Sequence, residues 1–252
     1  MTDEKAQAPE RGAPKKLKIP SELAYLAAIV LLSFAVAMLS AADFGISTIV
    51  APAYLLSLRT SVLTFGQAEY VIQAGVFVVL CIVLRRFRLV YLSSFATCLI
   101  YGFVLDLWRR IPFFNPSVMP PGSMALWLRI VMFIAGVVLT SFAVALFFKT
   151  YLYPQVYDFF VKAVSRRYGI RLSRLKTAVD LTCLAASVVM TLVFFGEFRG
   201  ISWGTIVMAL INGTIIGQFS TLLDRTCDFP AWLPGVEGEF ELLPADKNIR
   251  SP

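Results

Sequence analysis

Glu69 and Asp180 are the residues of this chain whose type and placement first suggest chemistry. Each is a carboxylate set four residues into a long apolar run, Gly66–Leu84 and Thr177–Gly196, and 111 positions separate them. An ionised side chain at the centre of a bilayer costs about 2.5–3.5 kcal/mol on insertion scales, so a carboxylate in such a run needs a reason. Two reasons stand side by side. In the first helical turn, about 5–6 Å from the start at 1.5 Å per residue, a carboxylate is favoured by the helix dipole and by headgroup water. Alternatively it lines a path for a solute or an ion, one carboxylate coming from each half of the chain.

A second set lies toward one end of the runs. Asp43 ends the first, Asp106 the third, and Arg129 stands five residues into the fourth. With Glu69 and Gln73 they are expected to converge on an outward-open polar pocket, Arg129 being the counter-ion. The alternative is interfacial pairing, Asp106 with Arg109 or Arg110, and Arg129 snorkelling to the surface.

Other chemistry is thin. The chain has no histidine, which removes the commonest metal ligand and any Ser-His or Cys-His mechanism. Cys81, Cys98, Cys183 and Cys227 have neither metal-ligand spacing nor a disulfide framework, and they read as small apolar fillers. There is no P-loop, GxGxxG or HExxH. The expectation is a protein that is not an enzyme and carries no cofactor or metal.

The elements that must position these residues follow from composition. Of 252 residues, 58% are hydrophobic and only 15% charged, against about a quarter charged in soluble domains. That is too little polar surface to coat a globule. The apolar residues form six runs of about the length a spanning helix needs: Leu23–Ala42, Gly66–Leu84, Leu89–Trp108, Ala125–Phe148, Thr177–Gly196 and Ile201–Leu222. Ser21 is the expected N-cap of the first. The fold class is therefore all-α integral membrane with six transmembrane helices, spanning residues 23–222 between a disordered tail (1–22) and a C-terminal tail without its own core (223–252).

The net charge of +7 is carried in short basic clusters between the runs, a membrane pattern rather than a nucleic-acid one. With the N-terminus inside, cytoplasmic segments hold eighteen Lys and Arg against four outside, with Arg129 left in a span. Both termini are expected in the cytoplasm. The start MTDEKAQAPERGAPKKLKIP is polar and unlike a secretory signal.

Two connections are not ordinary loops. Phe44–Leu58 is apolar, too short to span and interrupted by Pro52, which suits a re-entrant or interfacial segment. Over Gln155–Tyr168, Val156, Phe159, Phe160, Ala163 and Val164 follow helical spacing while Asp158, Lys162, Arg166 and Arg167 fall elsewhere. That predicts a cytoplasmic amphipathic helix lying on the anionic inner leaflet.

The chain also repeats itself. Ser33–Met38 (SFAVAM) recurs as Ser141–Leu146 (SFAVAL) at an offset of 108, and Tyr101-Gly102 aligns with Asn212-Gly213 at 111. Three spans per half is an odd number, so a duplication makes two inverted three-helix repeats, about 23–110 and 125–222. Inverted repeats recur in secondary transporters, with sites at the repeat interface. Ala37/Ala41 and Gly213/Gly217 have the small-xxx-small spacing of closely packed helices.

The stretches ADFGISTIVAPAYLLSL, LTFGQAEYVIQ, RRFRLVYLSSFATCLIYGFVLDLW and GTIVMALINGTIIGQF resemble the YczE/YyaS/YitT-type bacterial membrane protein family, in a subgroup of unknown function. The resemblance covers about residues 23–222 and rests on Asp43, Gly45, Gly66, Gln67, Glu69, Asp106 and Gly213. It implies a bacterial inner-membrane protein and brings no catalytic residues with it. Two functions follow as expectations. One is a transporter of a small solute or ion. The other is a non-transporting accessory or scaffold, or the substrate-binding subunit of a multi-component transporter. The partners expected are the lipid bilayer, an unidentified small solute or ion, and a homo-oligomeric or accessory membrane partner, with no nucleic acid.

Overall fold

The computed structural model describes residues 16–60, 62–85, 87–120, 123–198 and 200–232. Most of both tails, expected to be coreless, therefore lies outside the described residues. Eight α-helices are present among them: α1 (Ser21–Ala42), α2 (Ala51–Arg59), α3 (Phe65–Leu84), α4 (Leu92–Trp108), α5 (Leu126–Lys149), α6 (Val156–Tyr168), α7 (Leu172–Phe195) and α8 (Trp203–Thr226). A 3-10 turn, Leu89–Tyr91, leads into α4. All but α2 and α6 are long and apolar enough to cross a membrane, which matches the six runs.

The ends of these helices follow from local chemistry. Thr64 and Gln67 form a reciprocal capping box at the start of α3: the Gln67 amide donates to Thr64 Oγ1 at 3.2 Å, and the Thr64 amide to Gln67 Oε1 at 3.0 Å. Gly169 and Gly196 end α6 and α7 with φ of +69°, where a side chain would be strained. Pro52 does not interrupt its segment. It sits in the first turn of α2, where a missing N–H costs no helical bond. The expected cap Ser21 is instead the first residue of α1, and its hydroxyl accepts the Tyr151 amide at 3.3 Å.

α1 and α5 form the buried central pair. The repeated hexapeptides lie in this pair, with Ala35, Val36, Ala37, Ala143, Val144 and Ala145 all buried. Small side chains there let the helix backbones approach. Around the pair several contacts recur when the halves are exchanged, although α4 also packs on α6. α1 contacts α4 as α5 contacts α8, and α2 contacts α3 as α6 contacts α7. The short helices also reach across, α2 to α7 and α6 to α3.

Both described ends emerge on one face. Strands β1 (Leu17–Lys18) and β2 (Cys227–Asp228) pair in parallel, and the Ser21 amide donates to the Pro230 carbonyl at 2.9 Å. The Trp232 amide donates to the Glu22 carboxylate at 3.0 Å. Residues 227–232, expected to belong to a free tail, are therefore docked on the start of α1.

α6 is amphipathic as predicted, yet its apolar side faces protein. Val156, Phe159, Ala163 and Val164 are buried, and Phe159 stacks on Tyr153 with ring centroids 4.3 Å apart. Asp158, assigned to the wet face, is buried too, because Lys176 of α7 lies 3.6 Å away as its ion partner.

Candidate functional site

The two short helices begin deep inside the molecule. The chain leaves α1 at Asp43, held in a left-handed turn (φ +56°), and passes through a buried irregular stretch to α2. Gly45 makes this path possible: its φ is +109°, and an added Cβ would lie 2.7 Å from the Thr205 amide nitrogen. The carbonyl of Ser47 then accepts the Val50 and Ala51 amides, each at 3.0 Å, which opens α2. Thr48 reaches Asp180 through a side-chain hydrogen bond.

The start of α6 meets α3 in the corresponding way. Gln73 Oε1 accepts the Val156 amide at 3.1 Å, and Gln73 Nε2 donates to Gln155 Oε1 at 2.8 Å and to Glu69 Oε2 at 3.0 Å. Gln73 is the ninth residue of α3 and Asp180 the ninth of α7. Both short helices therefore start about 12 Å along a long one.

Between these two helix starts is a small cavity of about 30 Å³. Ser47, Ile49 and Val50 line it from the α2 side, and Gln155, Tyr157 and Asp158 from the α6 side. Tyr101 of α4 and Asn212 of α8, which share the 111-residue offset, face it together. Lys176 closes it, bound to Asp158 at 3.6 Å and Asp180 at 3.3 Å. Glu69 is fully buried behind Tyr101 and Tyr157. Glu69 is bonded to Gln73 and Tyr157, whereas the Tyr101 hydroxyl and Gln155 Nε2, both in the cavity lining, have no partner in hydrogen-bond geometry. Each such buried polar atom costs about 1–3 kcal/mol, so the pair calls for an occupant.

A larger cleft of about 690 Å³ separates α7 from α8. It runs from Arg171 and Ser220 at the end-bearing face to Lys176, Asp180 and Ile216, and Lys176 and Ile216 also line the central cavity. Gly213 and Gly217 face this cleft, and a Cβ at either would meet nothing within 4 Å. The close packing expected from their spacing is absent. The matching seam in the other half is tightly packed at its glycines, while a cleft of about 580 Å³ lined by Thr64, Tyr70, Phe103 and Asp106 opens toward the start of α3. A Cβ on Gly66 would lie 2.2 Å from the Gly102 carbonyl, and the Tyr70 hydroxyl donates to the Leu99 carbonyl at 3.0 Å.

The six residues singled out from sequence fall into three places. Glu69, Gln73 and Asp180 stand behind the cavity lining, bound to the lining residues Tyr157, Gln155 and Lys176 respectively. Asp106 binds the start of α3, accepting the Gly66 amide at 2.9 Å and the Thr64 hydroxyl, a carboxylate at a helix N-terminus. Arg129 holds the end of α1. Its Nε and Nη2 donate to the Ala42 and Asp43 carbonyls at 2.8 and 3.1 Å, its guanidinium lies 4.4 Å from the Phe44 ring centre, and the Asp43 carboxylate is 3.7 Å away. Burial raises the Asp43 carboxyl above its usual range, with Arg129 opposing the shift. One common outward pocket with Arg129 as counter-ion is not formed, because Arg129 is spent on helix-end carbonyls.

The offset of 111 also pairs the wrong depths. α7 starts at Leu172, five residues before its apolar run, so Glu69 and Lys176 are the fifth residues of their helices. Sequence reasoning did not select Thr48, Tyr101, Gln155, Tyr157, Asp158 or Lys176 as site residues. The shared offset of Tyr101 and Asn212 was the one available signal.

A bundle of six long apolar helices around a buried polar centre defines a multi-pass α-helical membrane protein. The chain belongs to a family of unknown function, DUF6198, whose model matches residues 19–221. Neither a curated protein nor a solved structure matches it.

Proposed function

We propose that this protein is a transporter of a small solute or ion, built from two inverted repeats with its site where they meet. The observation that carries the reading is the set of unpartnered buried polar atoms between the starts of α2 and α6. Secondary transporters place sites near the bilayer midplane, where discontinuous helices begin. Irregular backbone at that depth is tolerated when protein or a cavity covers it. On this reading α2 and α6 are re-entrant half-helices, one rising from the centre to each face.

The excess of basic residues on the end-bearing side supports a reading with both termini in the cytoplasm, and the resemblance given above supports a bacterial inner membrane. The α7–α8 cleft then opens toward the cytoplasm, and the cleft beside Tyr70 and Asp106 toward the other side. The protein is a carrier rather than an enzyme, and a relative of the YczE/YyaS/YitT-type proteins. A second reading draws on the same cleft: a membrane partner seated between α7 and α8 would make the chain an accessory subunit or the binding component of a larger transporter.

The test is a melting-temperature screen of the purified protein against metabolites and ions. A binder at a hundredfold excess over its Kd stabilises by about 2.7 kcal/mol. The expected result is a hit lost in Asp180→Asn, followed by uptake of that compound into liposomes. No hit, together with a stoichiometric membrane protein copurifying, overturns transport in favour of the accessory reading.

A further inference from the structure

Arg109 caps the end of α4, and with Arg110 it lines the 580 Å³ cleft beside the start of α3. The Arg109 guanidinium is partly buried and lies 5.2 Å from the centre of the Phe65 ring. A guanidinium stacked on a ring keeps its N–H groups free for hydrogen bonds in its own plane. Here Nε is buried and has no partner in hydrogen-bond geometry. No Asp or Glu among the described residues lies within ion-pair distance of Arg109 or Arg110. Arginine does not lose its proton in proteins, so partial burial leaves a cation that lacks a counter-charge.

The cleft lining holds one carboxylate, Asp106, against these two cations. Its two oxygens accept the Gly66 amide and the Thr64 hydroxyl, so it is committed to the positive end of α3. The lining is left with an excess of positive charge. On the reading that puts both termini in the cytoplasm, this side has four loop Lys and Arg against eighteen on the other. Two of those four meet at this cleft, where the positive-inside pattern gives no reason for them.

The apolar part of the cleft has a direction. Phe103 and Leu107 line it, and with Leu99 they form an exposed stripe at four-residue spacing, about 12 Å long on α4. The stripe runs from the arginines toward the middle of the span. Exposed apolar side chains are expected of any membrane helix; a pair of unpartnered arginines at the head of such a stripe is not. A soluble anion would use the arginines alone, whereas a lipid uses the charge and the stripe together. We propose that this cleft binds an anionic phospholipid, with its phosphate on Arg109 and Arg110 and an acyl chain along Leu107, Phe103 and Leu99. Arginine suits the headgroup because its planar fork meets two phosphate oxygens at once, and basic pockets beside membrane helices are the usual seat of such headgroups. The site stands whether or not the protein transports a solute.

The experiment is thermal unfolding of the full chain in detergent micelles, at neutral pH and constant ionic strength, with increasing phosphatidylglycerol or phosphatidylcholine. The expected result is a saturable rise in melting temperature with phosphatidylglycerol that phosphatidylcholine does not give. In Arg109→Gln the phosphatidylglycerol concentration at half effect rises about tenfold or more, the loss of a charge-assisted hydrogen bond. Arg59→Gln removes the same charge at an exposed arginine outside the lining and keeps the wild-type midpoint. Equal rises with the two lipids, or the wild-type midpoint in Arg109→Gln, overturn the proposal. An equal rise with inorganic phosphate in place of lipid also overturns it, and makes the cleft a site for a soluble anion. Should Arg109→Gln fail to fold, Arg110→Gln is the second variant, and an unchanged midpoint in it overturns the proposal too.

Discussion

Gln73 Oε1 accepts the backbone amide of Val156 at 3.1 Å, so a side chain from the middle of one long helix caps the first turn of a short one. The same amide group donates to Gln155 and Glu69. One glutamine thereby joins the start of α6, the cavity wall and the buried Glu69 carboxyl.

Replacing Gln73 with leucine leaves three buried partners unsatisfied at once. At about 1–3 kcal/mol for each, Gln73→Leu is expected to be among the most destabilising single changes in the bundle. Thermal unfolding in mild detergent measures it, and a melting temperature equal to wild type would show that α6 is held without this cap.

Lys176 shares its ammonium between Asp158 and Asp180. Removing one partner of a buried ion pair costs about 3–5 kcal/mol, because the remaining charge is uncompensated. Lys176→Met should therefore destabilise strongly, and Lys176→Met with Asp180→Asn should recover part of the loss. The double-mutant cycle reports the coupling directly; strict additivity would mean that the ion pair contributes nothing.

Arg129 is expected to matter for stability and not for the site. Arg129→Met loses two charge-assisted hydrogen bonds to the end of α1, each about 1.5–3 kcal/mol, and the stacking on Phe44. Arg129→Lys should restore only part, since an ammonium lacks the planar fork that meets both carbonyls. Ligand binding at the centre should be unchanged in any variant that folds, and a shifted affinity would place Arg129 in the site after all.

The glycines separate the two seams. Gly66→Ala forces a Cβ onto the Gly102 carbonyl and should impair folding, whereas Gly213→Ala meets open space and should leave the melting temperature within about 0.5 kcal/mol of wild type. A large side chain at Gly213 tests the path. Gly213→Trp should keep the fold and stop uptake by filling the α7–α8 cleft; unchanged uptake would mean that the cleft is not the route.

The six spans, the amphipathic character of α6 and the odd segment before α2 were all legible in the sequence, because each rests on local periodicity, length and composition. The repeated hexapeptide lies in the most buried pair of helices, α1 and α5. Depth was misjudged where polarity hides a helix: Arg171–Lys176 precede the apolar run, yet α7 begins at Leu172, which moves Asp180 a full turn deeper than its run suggests.

What only the tertiary structure decided is which polar groups share a cavity. Gln73 and Val156 are 83 residues apart, and Asp158 finds Lys176 across two helices. Side chains in a bundle are brought together by helix rotation and tilt, which are set by the packing of α1 on α5 and not by the spacing of any one segment. Sequence determined that carboxylates would lie within the apolar helices. Packing determined that Asp106 and Arg129 hold helix ends, while Glu69 is buried at the centre against Gln73 and Tyr157.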